Sequence, residues 1–255
     1  MSAGDRPVPA GPRPLDLRRL TGARVALGEA GGGMPTGAQQ RFLLDHARAR
    51  EAVWTEVDWA AVRARLGDRG LATVDVASRV GDRAEYLRRP DLGRRLSEDG
   101  RARLAAEPTG ADVALVIADG LSATAVTLNA APLALRIAAA AAGRGWRLAP
   151  VVLAHQARVA LGDEVGAALG ARAVVLLVGE RPGLSAADSL GVYVTHAPAP
   201  GTPDSRRNCI SNVREAGLPI EAAAAQVADL LTRMFEQGRS GVELRRDTGP
   251  LLPDG

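Results

Sequence analysis

The 255-residue chain contains no lysine, one cysteine and three histidines, and its aromatic residues amount to 3%. A single thiol, Cys209, excludes an internal disulfide and fits a reducing compartment. So few thiols and imidazoles (His46, His155, His196) leave little from which to build a structural zinc site. Without lysine there is no phosphate-loop lysine, and the patterns Gly-x-Gly-x-x-Gly and Gly-x-Ser-x-Gly are missing as well. The scarcity of aromatics means that any core is built from Ala, Val, Leu and Ile. No uninterrupted apolar stretch reaches the roughly 18 residues of a membrane helix. The alanine-rich region Ala134–Gly143 is broken by Arg136 and followed by Arg144, so no membrane partner is expected. Met1–Pro14 lacks the apolar run of a secretory signal.

What is present is arginine. The 32 basic side chains are all Arg, and against 29 acids they leave a net charge of +3. The excess lies before Gly110, whereas the second part is close to neutral. With no aromatic interleaving for base stacking, a solvated or partner-facing arginine surface is expected, and no nucleic acid.

Three regions follow from composition and periodicity. Residues 1–14, with four prolines and two glycines, read as a disordered arm. Residues 15–110 read as a helical N-terminal lobe. A short helix and an extended piece are expected over Leu15–Leu27, and a helix is expected to start near Thr36, with Phe42, Leu43, Ala47 and Val53 at helical spacing. Trp59, Val62 and Leu66 continue with a second helical face, and Gly81–Gly93 reads as a surface connector.

From Ala111 the pattern changes, and residues 111–255 read as an α/β domain. Val113–Ala118 is a continuous apolar run, as in a strand buried on both faces. Helix follows over Ala123–Ala142, with a break expected at Pro132. Strands are expected at Trp146–Leu153, Ala173–Val178 and Gly191–Thr195, with helices at Leu161–Leu169 and Ile220–Phe235 and a last strand at Val242–Leu244. Strand, turn and helix in alternation predict an α/β fold: an open, mostly parallel, Rossmann-like sheet flanked by helices. In such sheets ligands bind beyond the carboxyl ends of the strands. The polar turns expected there are Asp119–Ser122, Gly179–Gly183 and Asn208–Asn212.

Among polar residues, Glu180 directly follows an apolar strand and sits where such a sheet presents ligands; an ion pair with Arg181 is the structural alternative. Asn208, Ser211 and Asn212 offer donors and acceptors suited to an amide-rich ligand, or else simply form a turn. Cys209 is either a small buried apolar residue or a contact. Asp163 and Glu164, at a helix start, suit the helix dipole without chemistry. An autonomous enzyme using Asp119, Asp163 or Glu180 as an acid–base group is the alternative these residues leave open.

Four longer stretches carry a resemblance. They are Arg158–Glu164, Gly179–Ser185, Asp188–Gly191 and Arg207–Asn212. Together with Leu20–Gly28, Asp45–Arg50, Tyr86–Arg94 and Ile117–Ala123, in this order, they resemble the small subunit (light chain) of ethanolamine ammonia-lyase. The resemblance spans about Leu15 to Arg246. It implies a lyase of ethanolamine catabolism that depends on adenosylcobalamin and converts ethanolamine to acetaldehyde and ammonia. The expected partner is the large catalytic subunit, in a hetero-oligomer of six large and six small subunits. The small subunit would cap the cobalamin at the interface, with Val159, Glu180 and Cys209 as cofactor contacts and no catalytic or metal-ligating residue of its own. None of the three histidines lies in an Asp-x-His-x-x-Gly context, so the cobalt is expected to keep its own lower base (base-on). Ala157 stands where the family commonly has Gly, and Arg245 where Lys is usual. Some members enter a bacterial microcompartment through an amphipathic N-terminal helix. The proline-rich start lacks that face, so a cytoplasmic enzyme is expected.

Overall fold

The computed structural model describes residues 32–244. The expectations for 1–14, for Leu15–Leu27 and for Arg245 lie outside these residues. In chain order the helices are α1 (Thr36–Trp54), α2 (Trp59–Gly67), α3 (Arg83–Arg88), α4 (Glu98–Ala105), α5 (Ala123–Ala142), α6 (Leu161–Ala168) and α7 (Ile220–Gln237). The strands are β1 (Thr73–Ala77), β2 (Val113–Ala118), β3 (Val151–His155), β4 (Ala173–Gly179), β5 (Leu190–His196) and β6 (Arg207–Val213). Contacts divide the chain into two units, 1–46 and 47–255. The described part of the first is the beginning of α1, where Phe42 stacks on His46 at 6.3 Å. The second unit carries the sheet.

Six strands lie in the order β1-β3-β2-β4-β5-β6. The fold is α/β as expected, but the sheet is mixed: three of its five pairings are parallel and two are antiparallel. β1, β3, β2 and β4 pair parallel, whereas β4–β5 and β5–β6 are antiparallel. The reason is connection length: helices α5 and α6 carry the chain back before β3 and β4, but only residues 180–189 join β4 to β5, too few for a crossover. β2 and β4, buried at every position, are central and have no hydrophilic face. One face is covered by α2, α5 and α7, whose Val62, Ile137 and Leu231 pack against Leu115, Leu153 and Val192 of the strands. On the other, Leu104 of α4 and Leu161 and Val165 of α6 meet Val116, Val152 and Leu176.

Several elements differ from expectation. β1 falls in the stretch read as helical, so the sheet begins before Ala111. Gly81–Gly93 is not merely a surface connector, because it contains α3, capped by Asp82, which accepts the Glu85 N–H at 2.8 Å. Its Tyr86 is fully buried. Asn208–Asn212, read as a loop, belongs to β6, and Val242–Leu244 forms a 3₁₀ turn instead of a strand. Pro132 does not interrupt α5. The missing N–H is absorbed by a π-helical turn at Val126–Ala130 immediately before it. By length and composition alone α5 could span a bilayer; half of that stretch is buried within the fold.

Glu164 illustrates how α6 is fixed. Its nearly buried carboxylate accepts from the Leu96 N–H at 3.0 Å and from Arg95 and Arg101 at 3.0 and 2.9 Å. Burial pushes its pKa up, but Leu96 and the two guanidiniums outweigh burial and hold it below the ordinary 4.5. A depressed carboxyl contributes its full stability above its ordinary pKa and loses it progressively as the pH falls below that value and through the lowered pKa of the folded state. Glu164→Gln is therefore expected to lower the thermal midpoint at neutral pH, with the two proteins converging as the pH drops below 4.5. Parallel midpoint curves would contradict this.

Candidate functional site

The carboxyl ends of β1, β2, β3 and β4 share one edge of the sheet, and because β5 runs the other way, the end of β6 joins them. The chain leaves β2 through Asp119–Ser122. Gly120 has φ +58, and a Cβ there would lie 2.3 Å from the Gly179 carbonyl oxygen. A Cβ on Gly179 would lie 2.2 Å from the Ser122 oxygen. These two glycines let the β2 turn lie directly against the end of β4. Ser122 then caps α5 by accepting the Ala125 N–H, while its hydroxyl donates to the Ala187 carbonyl.

The turn after β3, Gln156–Ala160, carries Val159 to this edge. Val159 and Glu180 line a common cavity of about 400 Å³ together with Arg158, Arg181, Tyr193 and Ser211. The Glu180 carboxylate is held in a defined pose. It accepts hydrogen bonds from the hydroxyls of Ser189 and Ser211 and, at 3.3 Å, from the Asn212 N–H. Its partners are thus two serines and a backbone amide, not the adjacent Arg181. The presentation depends on irregular sheet geometry. Between Leu190↔Val213 and Val192↔Ile210 the register of β5 and β6 shifts by one residue, and Asn212 takes φ +62. This bulge turns both Ser211 and Asn212 toward Glu180. Gly191 completes the space, since a Cβ there would meet Glu180 Oε1 at 3.0 Å.

Cys209 is exposed and pairs across the sheet with Tyr193, with which it shares a side-chain hydrogen bond. It is outside the wall that Val159 and Glu180 share. It lines a separate groove of about 820 Å³ between β6 and α7, and Tyr193 links it to the first cavity. Desolvation holds its thiol above the ordinary range; the Tyr193 hydrogen bond opposes this, and the Glu180 charge adds to it. Desolvation also pushes the Tyr193 hydroxyl up to about 12. Neither group is poised as a nucleophile near neutral pH.

The other polar candidates serve the frame. Asp163 pairs with Arg207 in a nearly buried ion pair, and Arg207 also donates to the Thr202 carbonyl at 2.7 Å, which anchors the start of β6 to α6. Burial raises the Asp163 pKa against the pull of Arg207. His155 is engaged by Asp75 at 3.0 Å. Neither Tyr86 nor Tyr193 stands out in the sequence as a site residue. Tyr193 reads there as an ordinary strand aromatic, and only its register opposite Cys209 shows which face it takes.

Around this cavity stand a carboxylate acceptor, the hydroxyls of Ser211 and Tyr193 and the backbone turn of Val159, and the lining residues include no nucleophile–base pair. A family model for the ethanolamine ammonia-lyase light chain matches residues 13–245. The chain belongs to this family. This chain is 49% identical to the ethanolamine ammonia-lyase small subunit of Pseudomonas syringae pv. tomato, over 94% of this chain and 85% of that one. It is 50% identical to the small subunit of Ralstonia nicotianae, over 94% and 90%. The same identity holds for that of Bradyrhizobium diazoefficiens, over 96% and 95%. The chain thus places Val159 and Glu180 on one cavity and Cys209 one strand pairing away from its Tyr193.

Proposed function

We propose that this chain caps adenosylcobalamin at the interface with the large subunit of an ethanolamine ammonia-lyase, which deaminates ethanolamine to acetaldehyde and ammonia. The observation that carries this reading is the Glu180 carboxylate, braced by Ser189, Ser211 and Asn212 at the ligand-presenting edge of the sheet. The rim of a corrin bears primary carboxamides, which donate and accept. Around the cavity stand a carboxylate that accepts, hydroxyls of Ser211 and Tyr193 that do both, and the backbone of the Val159 turn. These residue types fit the group. A cavity of about 400 Å³ is far smaller than a corrinoid, which supports a cap over one side with the rest of the enclosure supplied by a partner. When bound, adenosylcobalamin supplies the radical chemistry of the reaction. This chain's residues orient the cofactor: Glu180 accepts from a rim amide, Val159 lends backbone, and Cys209 contacts the adjoining edge. The acidic and basic residues buried beside them are occupied in the frame, so proton handling at the substrate falls to the large subunit.

The test is co-expression with a large subunit from a close relative. Cobalamin-dependent ammonia release is expected from the complex and not from this chain alone. Turnover by the isolated chain would contradict the reading and favour an autonomous enzyme.

A further inference from the structure

We infer that Asp119 is the positioning residue for the cofactor-facing turn: its carboxylate holds the Gln156–Val159 backbone in the one conformation that delivers Val159 to the cavity. This inference rests on the reading of that cavity as the corrin cap. Asp119 follows β2 and is 7% exposed. Its Oδ1 accepts the Ala157 N–H at 2.8 Å and the Gly120 N–H at 3.0 Å, and its Oδ2 accepts the Gln156 N–H at 2.9 Å. Arg83 Nη1 approaches Oδ2 at 3.5 Å.

The amides of residues 156 and 157 thus converge on one internal carboxylate, as successive amides of a backbone nest converge on an anion. They need it, because Gln156 sits at φ +52, a conformation L residues seldom adopt unaided. The opposite side of the turn is pinned independently. The Tyr86 hydroxyl donates to the Ala157 carbonyl at 3.0 Å, and the Arg158 N–H donates to the Gly93 carbonyl at 2.7 Å. Asp119 itself is not in the wall shared by Val159 and Glu180, so it acts through the turn. With both oxygens committed to frame donors, it is a poor candidate for the acid–base role that its place at a strand end allows.

The experiment uses the assembled two-subunit enzyme and titrates cobalamin by absorbance. Asp119→Asn keeps the size but sets an NH₂ against amide donors on one side of the carboxyl. It is expected to weaken cobalamin binding on the order of tenfold with assembly and circular dichroism unchanged. Gln156→Gly, which adopts positive φ freely, is expected to restore most of that affinity in the Asp119→Asn background; a merely global loss of stability would not respond to it. If Asp119→Asn does not assemble, Tyr86→Phe removes another of the bonds that hold the turn, the one to the Ala157 carbonyl, and a several-fold loss of affinity is expected. Unchanged affinity in the assembled variant overturns the inference, and so does a loss that Gln156→Gly fails to restore. Glu180→Gln measured alongside separates the two levels. If it weakens binding while Asp119→Asn does not, the inference alone fails. If neither does, the corrin-cap reading fails with it.

Discussion

Gly179→Ala is expected to destabilise the light chain by roughly 3 kcal/mol or more and to prevent normal assembly with its partner. The added Cβ would stand 2.2 Å from the Ser122 oxygen and 2.6 Å from the Asp119 oxygen, and both are backbone atoms with nowhere to rotate. Relief requires the β2 turn to lift from the end of β4. That turn carries Asp119, the Ser122 cap of α5 and the Leu121 N–H bonded to the Gly179 carbonyl at 2.8 Å, so the strain spreads through the whole ligand edge. Thermal unfolding of the co-expressed complex is the measurement. A midpoint within a degree or two of the wild type would show that the edge tolerates displacement and that its glycines are incidental.

The second large effect is on the cofactor. Glu180→Gln is expected to weaken cobalamin binding by the assembled enzyme about tenfold while leaving its thermal stability nearly unchanged. Gln keeps the shape but loses the charge and one acceptor. Ser189 and Ser211 can turn their hydroxyls to suit the new NH₂, whereas the Asn212 N–H is fixed to the backbone and cannot. The energetic cost falls on whichever ligand amide the carboxylate accepts. A variant with unaltered affinity would remove Glu180 from the contact set.

Much of this architecture is visible in the residues themselves, for a simple reason. β2 and β4 are buried on both faces, so each is a continuous apolar run, and Glu180 stands out as the first acid after such a run. β1 and β6 hide because they are the edge strands. Only Val76 is buried in β1, and only Ile210 and Val213 in β6; β1 interrupts its apolar residues with Thr73 and Asp75 and β6 is mostly polar, so neither segment is a continuous apolar run. The sequence predicts the third strand five residues too early because Trp146 and Leu148 are apolar; they pack against the core from the connection, and the strand starts only after Pro150, which has no N–H for a ladder. The site was half legible for a related reason. Glu180 and Val159 follow strands, but the bulge that aims Ser211 and Asn212, and the backbone bonds of Asp119, are long-range geometry that no local pattern encodes. Asp163 and Glu164 show the converse: adjacent acids at a helix start suit the dipole, yet here both are drawn into ion pairs with arginines from other elements.

Hydrogen–deuterium exchange on the assembled enzyme, with and without cobalamin, bears most directly on the capping edge. Cofactor binding should slow exchange in peptides covering 156–160, 179–183 and 209–213 together, while the buried amides of β2 stay as they were. Protection confined to the large subunit, or to the opposite end of this sheet, would mean that the corrin lies elsewhere.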